Sequence, residues 1–220
     1  MNENTDNKIE KKRFFYAMFI PFSIVLFMFL SFLLEKGMNW DFHQGGVFPR
    51  RIENLWGILS IIFIHGDWGH LFNNILSFFI LATTLYYFYA PIATKILLVS
   101  YICSGFLLWI IGRESWHIGA SGLIYALVFF LFTSGIIRRH IPLIAISLIM
   151  VFLYGNIVWH IFPWQVNDPI SWEGHLAGGI TGFTLAILYR KQGPQKPEKI
   201  WEEDESDPED INTDTEDIQY

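Results

Sequence analysis

The sequence predicts an all-α, polytopic membrane protein in which six transmembrane helices form one bundle. Two observations carry this prediction. The 220 residues are 52% apolar and only 16% charged, whereas a soluble domain normally carries about 25% charged residues. Several uncharged runs also exceed the ~18 residues that mark a membrane-spanning helix. The composition and the runs together exclude an ordinary soluble domain.

Six uncharged runs define the predicted spans. They cover residues 14–34, 68–94, 96–112, 115–137, 141–167 and 170–189. The apolar stretch at residues 55–66 is too short to span, so it is predicted to be interfacial or re-entrant. Four basic residues precede the first span and no small-residue cleavage site follows it, which is typical of an uncleaved anchor rather than a signal peptide.

The distribution of charge predicts the orientation and a separate tail. With the N-terminus inside, the inner segments hold 11 Lys and Arg residues and the outer segments hold four, so both termini are predicted to be cytoplasmic. The net charge of -6 is concentrated at the end, because the last 23 residues hold 11 acids and one Lys. We therefore predict a cytoplasmic segment at 1–13, a membrane domain at 14–190 and a disordered acidic tail at 191–220. Docking of a cytosolic partner is the alternative role for the tail, and no nucleic-acid partner is expected.

Polar side chains inside the spans are the candidate functional residues, because they are costly in a bilayer. The second, fourth and sixth spans all run inward from the outer face, so polar residues near their starts lie at a common depth. Ser121 is expected six residues, or ~9 Å, into the fourth span. The candidates are His70, Asn73, Asn74, His117, Ser121, Asn156, His160 and His175.

The surroundings of these residues indicate acyl transfer. His70 and Asn74 share one helical face. A hydroxyl at Ser121, an imidazole at His175 and a further pair of donors supply the groups that such chemistry needs. Small residues flank both reactive positions and permit close helix packing; they are Gly119, Gly122, Gly178 and Gly182.

Other interpretations fit single residues. A serine in a membrane helix commonly bonds its own backbone carbonyl, and a lone His117 or His160 is typical of the headgroup level. His65, His70 and His175 could in principle hold zinc, but no H-E-x-x-H motif and no carboxylate base accompany them. The single cysteine, Cys103, gives neither an internal disulfide nor a cysteine-based zinc site.

Three motifs resemble the rhomboid intramembrane serine proteases, in the order of that family. They are His65-Gly-Asp-Trp-Gly-His70-Leu-Phe-Asn-Asn74, then Gly119-Ala-Ser121-Gly122, then Gly174-His175-Leu-Ala-Gly178-Gly-Ile-Thr-Gly182. The similarity covers roughly residues 14–190. The chain resembles the minimal six-helix form of the family, which is the bacterial type. This resemblance implies a multi-pass protein of the bacterial plasma membrane that needs no cofactor or metal.

The resemblance also implies roles for individual residues. Ser121 matches the nucleophile and His175 the general base of a dyad without a third, acidic member. His70, Asn74 and the backbone N–H of Ser121 match the oxyanion hole. Tyr125 matches the aromatic residue on which the catalytic histidine stacks. His65 matches a supporting histidine in the loop that enters the second helix.

One position departs from the family pattern. The family often has Trp-Arg in the first outer loop, whereas here Trp56 is followed by Gly57. Arg50 and Arg51 are the candidates to replace the missing loop anchor. By resemblance, the segment 162–173 is a cap over the site and the fifth helix is a lateral gate.

The expected function is hydrolysis of peptide bonds in or near the transmembrane helices of single-span proteins, with membrane lipids as the surroundings. The alternative is a catalytically silent rhomboid-like protein that binds or escorts membrane helices. A small transporter is a third, weaker hypothesis, because the polar cluster opens to one face only.

Overall fold

The chain is almost entirely helical, as the computed structural model shows for residues 3–155, 161–162 and 171–197. The α-helices in these ranges are α1 (Glu3–Gly37), α2 (Gly57–Ser60), α3 (Trp68–Phe88), α4 (Ala93–Ile111), α5 (Ser121–Arg138), α6 (Ile141–Tyr154) and α7 (Trp172–Leu188). Short 3-10 helices lie at His43–Gly45, Ile52–Asn54 and Ile61–Phe63. The predicted all-α class is confirmed, with a single-turn helix, α2, in addition to the six long ones.

Four helices are long and apolar enough to cross a membrane: α1, α3, α4 and α5. The other two predicted spans form shorter helices, with 14 residues in α6 and 17 in α7. Much of the fifth predicted span, 141–167, lies outside the described residues. α7 carries Glu173 and His175 and is buried along most of its length. A helix enclosed by other helices can carry polar groups that would be costly against lipid.

The fourth predicted span begins in the wrong place. Residues 115–120 are not helical, and α5 starts at Ser121 itself. The N–H of Gly119 binds the carbonyl of Ile61 at 2.9 Å, and Gly119 has a φ of +100°, which favours glycine. His117 pairs with Val47 as an isolated antiparallel bridge. Ser121 is therefore the first residue of a helix and does not lie ~9 Å inside one.

The α5–α7 pair is the most extensive helix contact among the described residues. A Cβ atom at Gly178 would lie 2.0 Å from the carbonyl oxygen of Gly122, and one at Gly182 would lie 2.1 Å from that of Ala126. Only glycine fits so close to a neighbouring backbone. The predicted packing of the fourth and sixth spans through small residues is confirmed.

Large apolar side chains cover the outside of the bundle. α1 exposes Phe15, Tyr16 and Phe19, and α6 exposes Leu148 and Phe152. A soluble monomer rarely exposes apolar patches of this extent. The exposed faces and the four span-length helices identify an integral membrane protein.

The segment between α1 and α3 does not span, as predicted for residues 55–66. It folds into α2 and a 3-10 turn and buries Ile58, Ile61 and Ile62. A Cβ atom at Gly57 would lie 2.1 Å from the carbonyl oxygen of Gly46. No larger residue fits at position 57 without moving the backbone.

Candidate active site

The first turns of α3, α5 and α7 meet at one end of the bundle, which we call the site end. Asp67 caps α3, since its Oδ1 accepts the N–H of His70 at 2.9 Å. Ser171 caps α7, since its Oγ accepts the N–H of Gly174 at 3.2 Å. Side-chain oxygens of this kind satisfy the free N–H groups of a first turn. The caps fix where the helices carrying His70 and His175 begin.

A cavity of about 510 Å³ opens between these helix starts. Ser121 and His175 both line it, Ser121 half-buried and His175 buried. Other side chains in its wall are His70, Arg113, His117 and Ser171. The structure thus brings the predicted serine and histidine to one cavity, although they are 54 residues apart in sequence.

His175 stacks on Tyr125. The two ring centroids are 4.1 Å apart and the ring planes differ by 5°. Tyr125 lies one turn after Ser121 on α5 and is buried. The contact predicted from the family resemblance is present, and it fixes the plane of the imidazole against the helix that begins with Ser121.

Two side-chain donors lie against the backbone just before Ser121. A Cβ atom at Gly119 would lie 2.4 Å from His70 Nε2 and 3.2 Å from Asn74 Nδ2. Asn74 is buried, and among the described residues its Nδ2 has no hydrogen-bond partner. Buried donors are nearly always paired. An unpaired amide beside Ser121 is therefore suited to bind an oxygen that the described protein does not supply.

His65 packs behind this group of donors. Its ring is fully buried and meets the ring of His70 edge-on, with centroids 5.0 Å apart. Burial and, second, the neighbouring His70 lower the pKa of His65 from 6.5 to about 3. A neutral His65 thus packs against His70, where the resemblance predicts a supporting residue.

His117 has a partner that the sequence interpretation did not name. It is buried inside the protein, and its Nδ1 lies 2.6 Å from Ser171 Oγ. The sequence offered only one signal for this pair: His117 stands four residues before Ser121, and Ser171 stands four residues before His175.

Glu173 is a buried acid that the sequence interpretation left without a partner. Its Oε1 lies 3.6 Å from Nε of Arg113 and accepts the N–H of the same residue at 3.4 Å. This carboxylate is therefore used to hold the loop before α5 against the first turn of α7.

Arg50 anchors the first loop, as proposed for Arg50 and Arg51. Its Nη1 donates to the carbonyl of Gly112 at 2.8 Å, and its backbone N–H donates to Trp109 at 3.0 Å. Arg51 instead lies over the ring of Phe48, 3.9 Å from its centroid. The loop is thus tied to the end of α4 by a residue other than the one the family uses.

Some sequence predictions lie outside the described residues. They concern Asn156, His160, most of the cap segment 162–173 and the acidic tail from residue 198. Within the described part of the chain, no three His, Cys, Asp or Glu side chains are grouped so that they could hold a metal ion.

The fold and the site define a class: a helical membrane protein with serine and histidine side chains around one cavity at the end of its bundle. The family model described as the Rhomboid domain matches residues 53–192, well over half of the chain. The chain belongs to the rhomboid family.

The chain is also similar to individual proteins, two of which are named rhomboid-related. An uncharacterized protein of Mycobacterium tuberculosis is 29% identical over 178 residues, which cover 76% of this chain and 73% of the relative. Rhomboid-related protein 1 of Caenorhabditis elegans is 28% identical over 155 residues, covering 64% of this chain and 42% of the relative. Rhomboid-related protein 2 of Mus musculus is 26% identical over 147 residues, covering 62% and 49%.

Proposed function

We propose that this protein is an intramembrane serine endopeptidase that cuts single-span membrane proteins in or near their transmembrane helices. The observation that carries the proposal is the shared cavity of Ser121 and His175, with the unpaired amide of Asn74 beside the serine loop. A nucleophile, a base and a donor for a developing oxyanion are the parts that acyl transfer requires.

The proposed reaction has two steps. His175 takes the proton of the Ser121 hydroxyl while Oγ attacks the scissile carbonyl, and the oxyanion accepts hydrogen bonds from His70, Asn74 and the N–H of Ser121. His175 then gives its proton to the departing amine, which leaves an ester on Ser121. Water, deprotonated by His175, hydrolyses the ester and restores the hydroxyl.

In this mechanism Tyr125 orients the imidazole of His175. In many serine hydrolases an acid holds the imidazole in the correct orientation. Here the parallel contact of His175 with Tyr125 limits rotation of the ring, while the nearby acid Glu173 accepts from Arg113. The base therefore needs no carboxylate to keep its plane.

We place the site end at the outer face of a bacterial plasma membrane, with both termini in the cytoplasm. The bias of Lys and Arg toward the inner segments supports this orientation. A substrate helix must unwind locally before its carbonyl can be attacked, because that carbonyl is bonded to its own backbone. Helix-breaking residues near the cut, and a small residue before it, should therefore favour cleavage.

The second candidate function is escort of membrane helices without cleavage. The exposed apolar faces of α1 and α6 favour it, because they offer surface to another helix. It gives no role to a serine and a histidine in one cavity, so we rank it below proteolysis.

Reconstitution distinguishes the two functions. The wild-type protein, Ser121→Ala and His175→Ala are placed in liposomes with a single-span substrate that carries a Gly or Pro near its outer end. Proteolysis predicts cleavage by the wild type and a loss of about 10³-fold or more in each variant. Cleavage by Ser121→Ala would sink the proposed mechanism. Binding of the span by all three proteins, with cleavage by none, would establish escort.

A further inference from the structure

Two polar links join the loop before Ser121 to the first turn of α7. In the first, His117 Nδ1 lies 2.6 Å from Ser171 Oγ. In the second, Arg113 pairs with Glu173 through its side chain and its backbone N–H. Both links are at the site end and neither includes a residue to which the proposed mechanism assigns chemistry.

One tautomer of His117 satisfies all of its contacts. The carbonyl of Arg113, 3.1 Å from Nε2, can only accept, and Ser115 Oγ, 3.4 Å from the same atom, can accept as well, so we assign the proton to Nε2. Burial lowers the pKa of His117, which keeps the ring neutral. Its bare Nδ1 then accepts the hydroxyl proton of Ser171, whose Oγ in turn accepts the N–H of Gly174 at 3.2 Å. A chain of donors thus runs from the backbone of α7 into the loop before α5.

The backbone on both sides of this chain is fixed. His117 exchanges two hydrogen bonds of 2.9 Å with Val47 of the first loop. On the other side, the N–H of His175 donates to the carbonyl of Ser171 at 3.3 Å. The link therefore connects a point four residues before Ser121 with a point four residues before His175.

We propose that His117 and Ser171 are positioning residues that set the approach of His175 to Ser121. The proposal rests on the proposed proteolytic function, and the pair acts through the dyad rather than on the substrate. The simpler alternative is that Ser171 only caps α7, in which case His117 has no part in it. A displacement of about 1 Å in a reacting group can cost 10²-fold in rate.

The test separates positioning from stability. Cleavage kinetics and thermal unfolding are measured for His117→Leu, Ser171→Ala and the double variant, with His117→Gln and Ser171→Thr as conservative replacements. A glutamine amide can both donate and accept, and threonine keeps the hydroxyl. Ser134→Ala is the matched control, since it removes a 2.8 Å hydrogen bond to Arg138 at the far end of the same helix, α5.

Positioning predicts a specific pattern. His117→Leu and Ser171→Ala each lower kcat about 10- to 100-fold with KM changed by less than about threefold. The kcat of the double variant falls no further than that of either single variant, because both substitutions remove the same link. His117→Gln and Ser171→Thr recover most of kcat, and Ser134→Ala keeps kcat even where its melting temperature falls.

Three results would overturn the proposal. One is a kcat retained in His117→Leu, whatever the effect of Ser171→Ala, because Ser171 would then only cap α7. Another is a double variant whose loss of kcat is the product of the two single losses. The third applies if the wild type itself does not cleave. The proposed function has then failed, and amide hydrogen exchange tests the His117–Ser171 link by itself. His117→Leu must raise exchange at residues 172–175 while Ser134→Ala does not; unchanged exchange there would refute the link.

Discussion

Two buried polar side chains at opposite ends of the bundle differ in their hydrogen bonds. At the end opposite the site, Arg138 is buried, and three of its nitrogens each donate a hydrogen bond of 2.8 Å. The acceptors are Ser134 Oγ, the carbonyl of Tyr189 and the carbonyl of Pro194. At the site end, Asn74 is also buried, but among the described residues its Nδ2 has no partner.

The difference distinguishes a side chain that stabilises the fold from one that is suited to act on a substrate. A buried polar group with all its partners stabilises the fold, and removing it leaves other groups unsatisfied. A buried donor without a partner costs stability, and an acceptor supplied by another molecule can offset that cost. Arg138 therefore holds the segment after α7 to the bundle, whereas Asn74 is suited to act on a substrate. Substitutions at the two ends should separate activity from stability.

Asn74→Ala should have the largest effect on activity among the tests of this contrast. Loss of one oxyanion donor costs about 10²–10³ in kcat in other serine hydrolases, while stability should hold because an unpaired buried amide is removed. Cleavage rates and unfolding in detergent micelles check both parts. A variant that cleaves normally would remove Asn74 from the oxyanion hole.

Arg138→Met should show the reverse pattern. It breaks three hydrogen bonds at the far end, so the free energy of unfolding should fall by about 1–3 kcal/mol with kcat unchanged at temperatures where the protein stays folded. Arg139→Met is the matched control, because Arg139 is the neighbouring, exposed arginine. Equal stability of the two variants would contradict the structural role of Arg138.

Gly178→Ala should lower both the stability of the protein and its cleavage activity. Its new Cβ would lie 2.0 Å from the carbonyl oxygen of Gly122, so α7 must move away from α5, at a cost of about 1–3 kcal/mol. His175 would move with α7, and cleavage should fall too. Gly179→Ala is the control next to it, since that Cβ meets the ring of Phe129 at an ordinary 3.5 Å. Indistinguishable melting curves for the two variants would argue against the close α5–α7 contact.

Acidification should destabilise the fold through His65. Burial is the main cause that lowers the pKa of His65 from its ordinary value of 6.5 to about 3 in the folded protein. The unfolded chain therefore binds a proton that the folded protein does not, so stability is full above pH 6.5 and falls as the pH drops toward 3. Melting temperatures between pH 7 and pH 5 should decline, and less steeply in His65→Gln. A slope that His65→Gln leaves unchanged would contradict the buried, neutral His65.

Cleavage has a separate dependence on pH. His175 must be neutral to accept the serine proton, so the rate should fall on acidification. Rates are to be compared at temperatures where the protein remains folded at every pH. Cleavage that acidification leaves undiminished would count against His175 as the base.

The sequence was sufficient to predict the helical class, the three motifs and the α5–α7 contact, because each depends on a local pattern. The spacing of Gly178 and Gly182, for example, is itself the packing signal. It was not sufficient for the start of α5, which depends on pairing between Val47 and His117, 70 residues apart. Nor could it predict that Gly57 lies against the backbone of Gly46 in the same loop. Such contacts form only in the folded chain and produce no periodic pattern in the sequence.

Covalent labelling tests the central claim most directly: that the site end carries an activated serine and the far end carries only structural ones. The protein in micelles is treated with a fluorophosphonate, which reacts with activated serine hydroxyls, and the modified residue is located by mass spectrometry. We predict an adduct on Ser121 and none on Ser134, lost in His175→Ala and kept in Arg138→Met. An adduct that forms equally in His175→Ala, or no adduct on Ser121 in the wild type, would contradict the account.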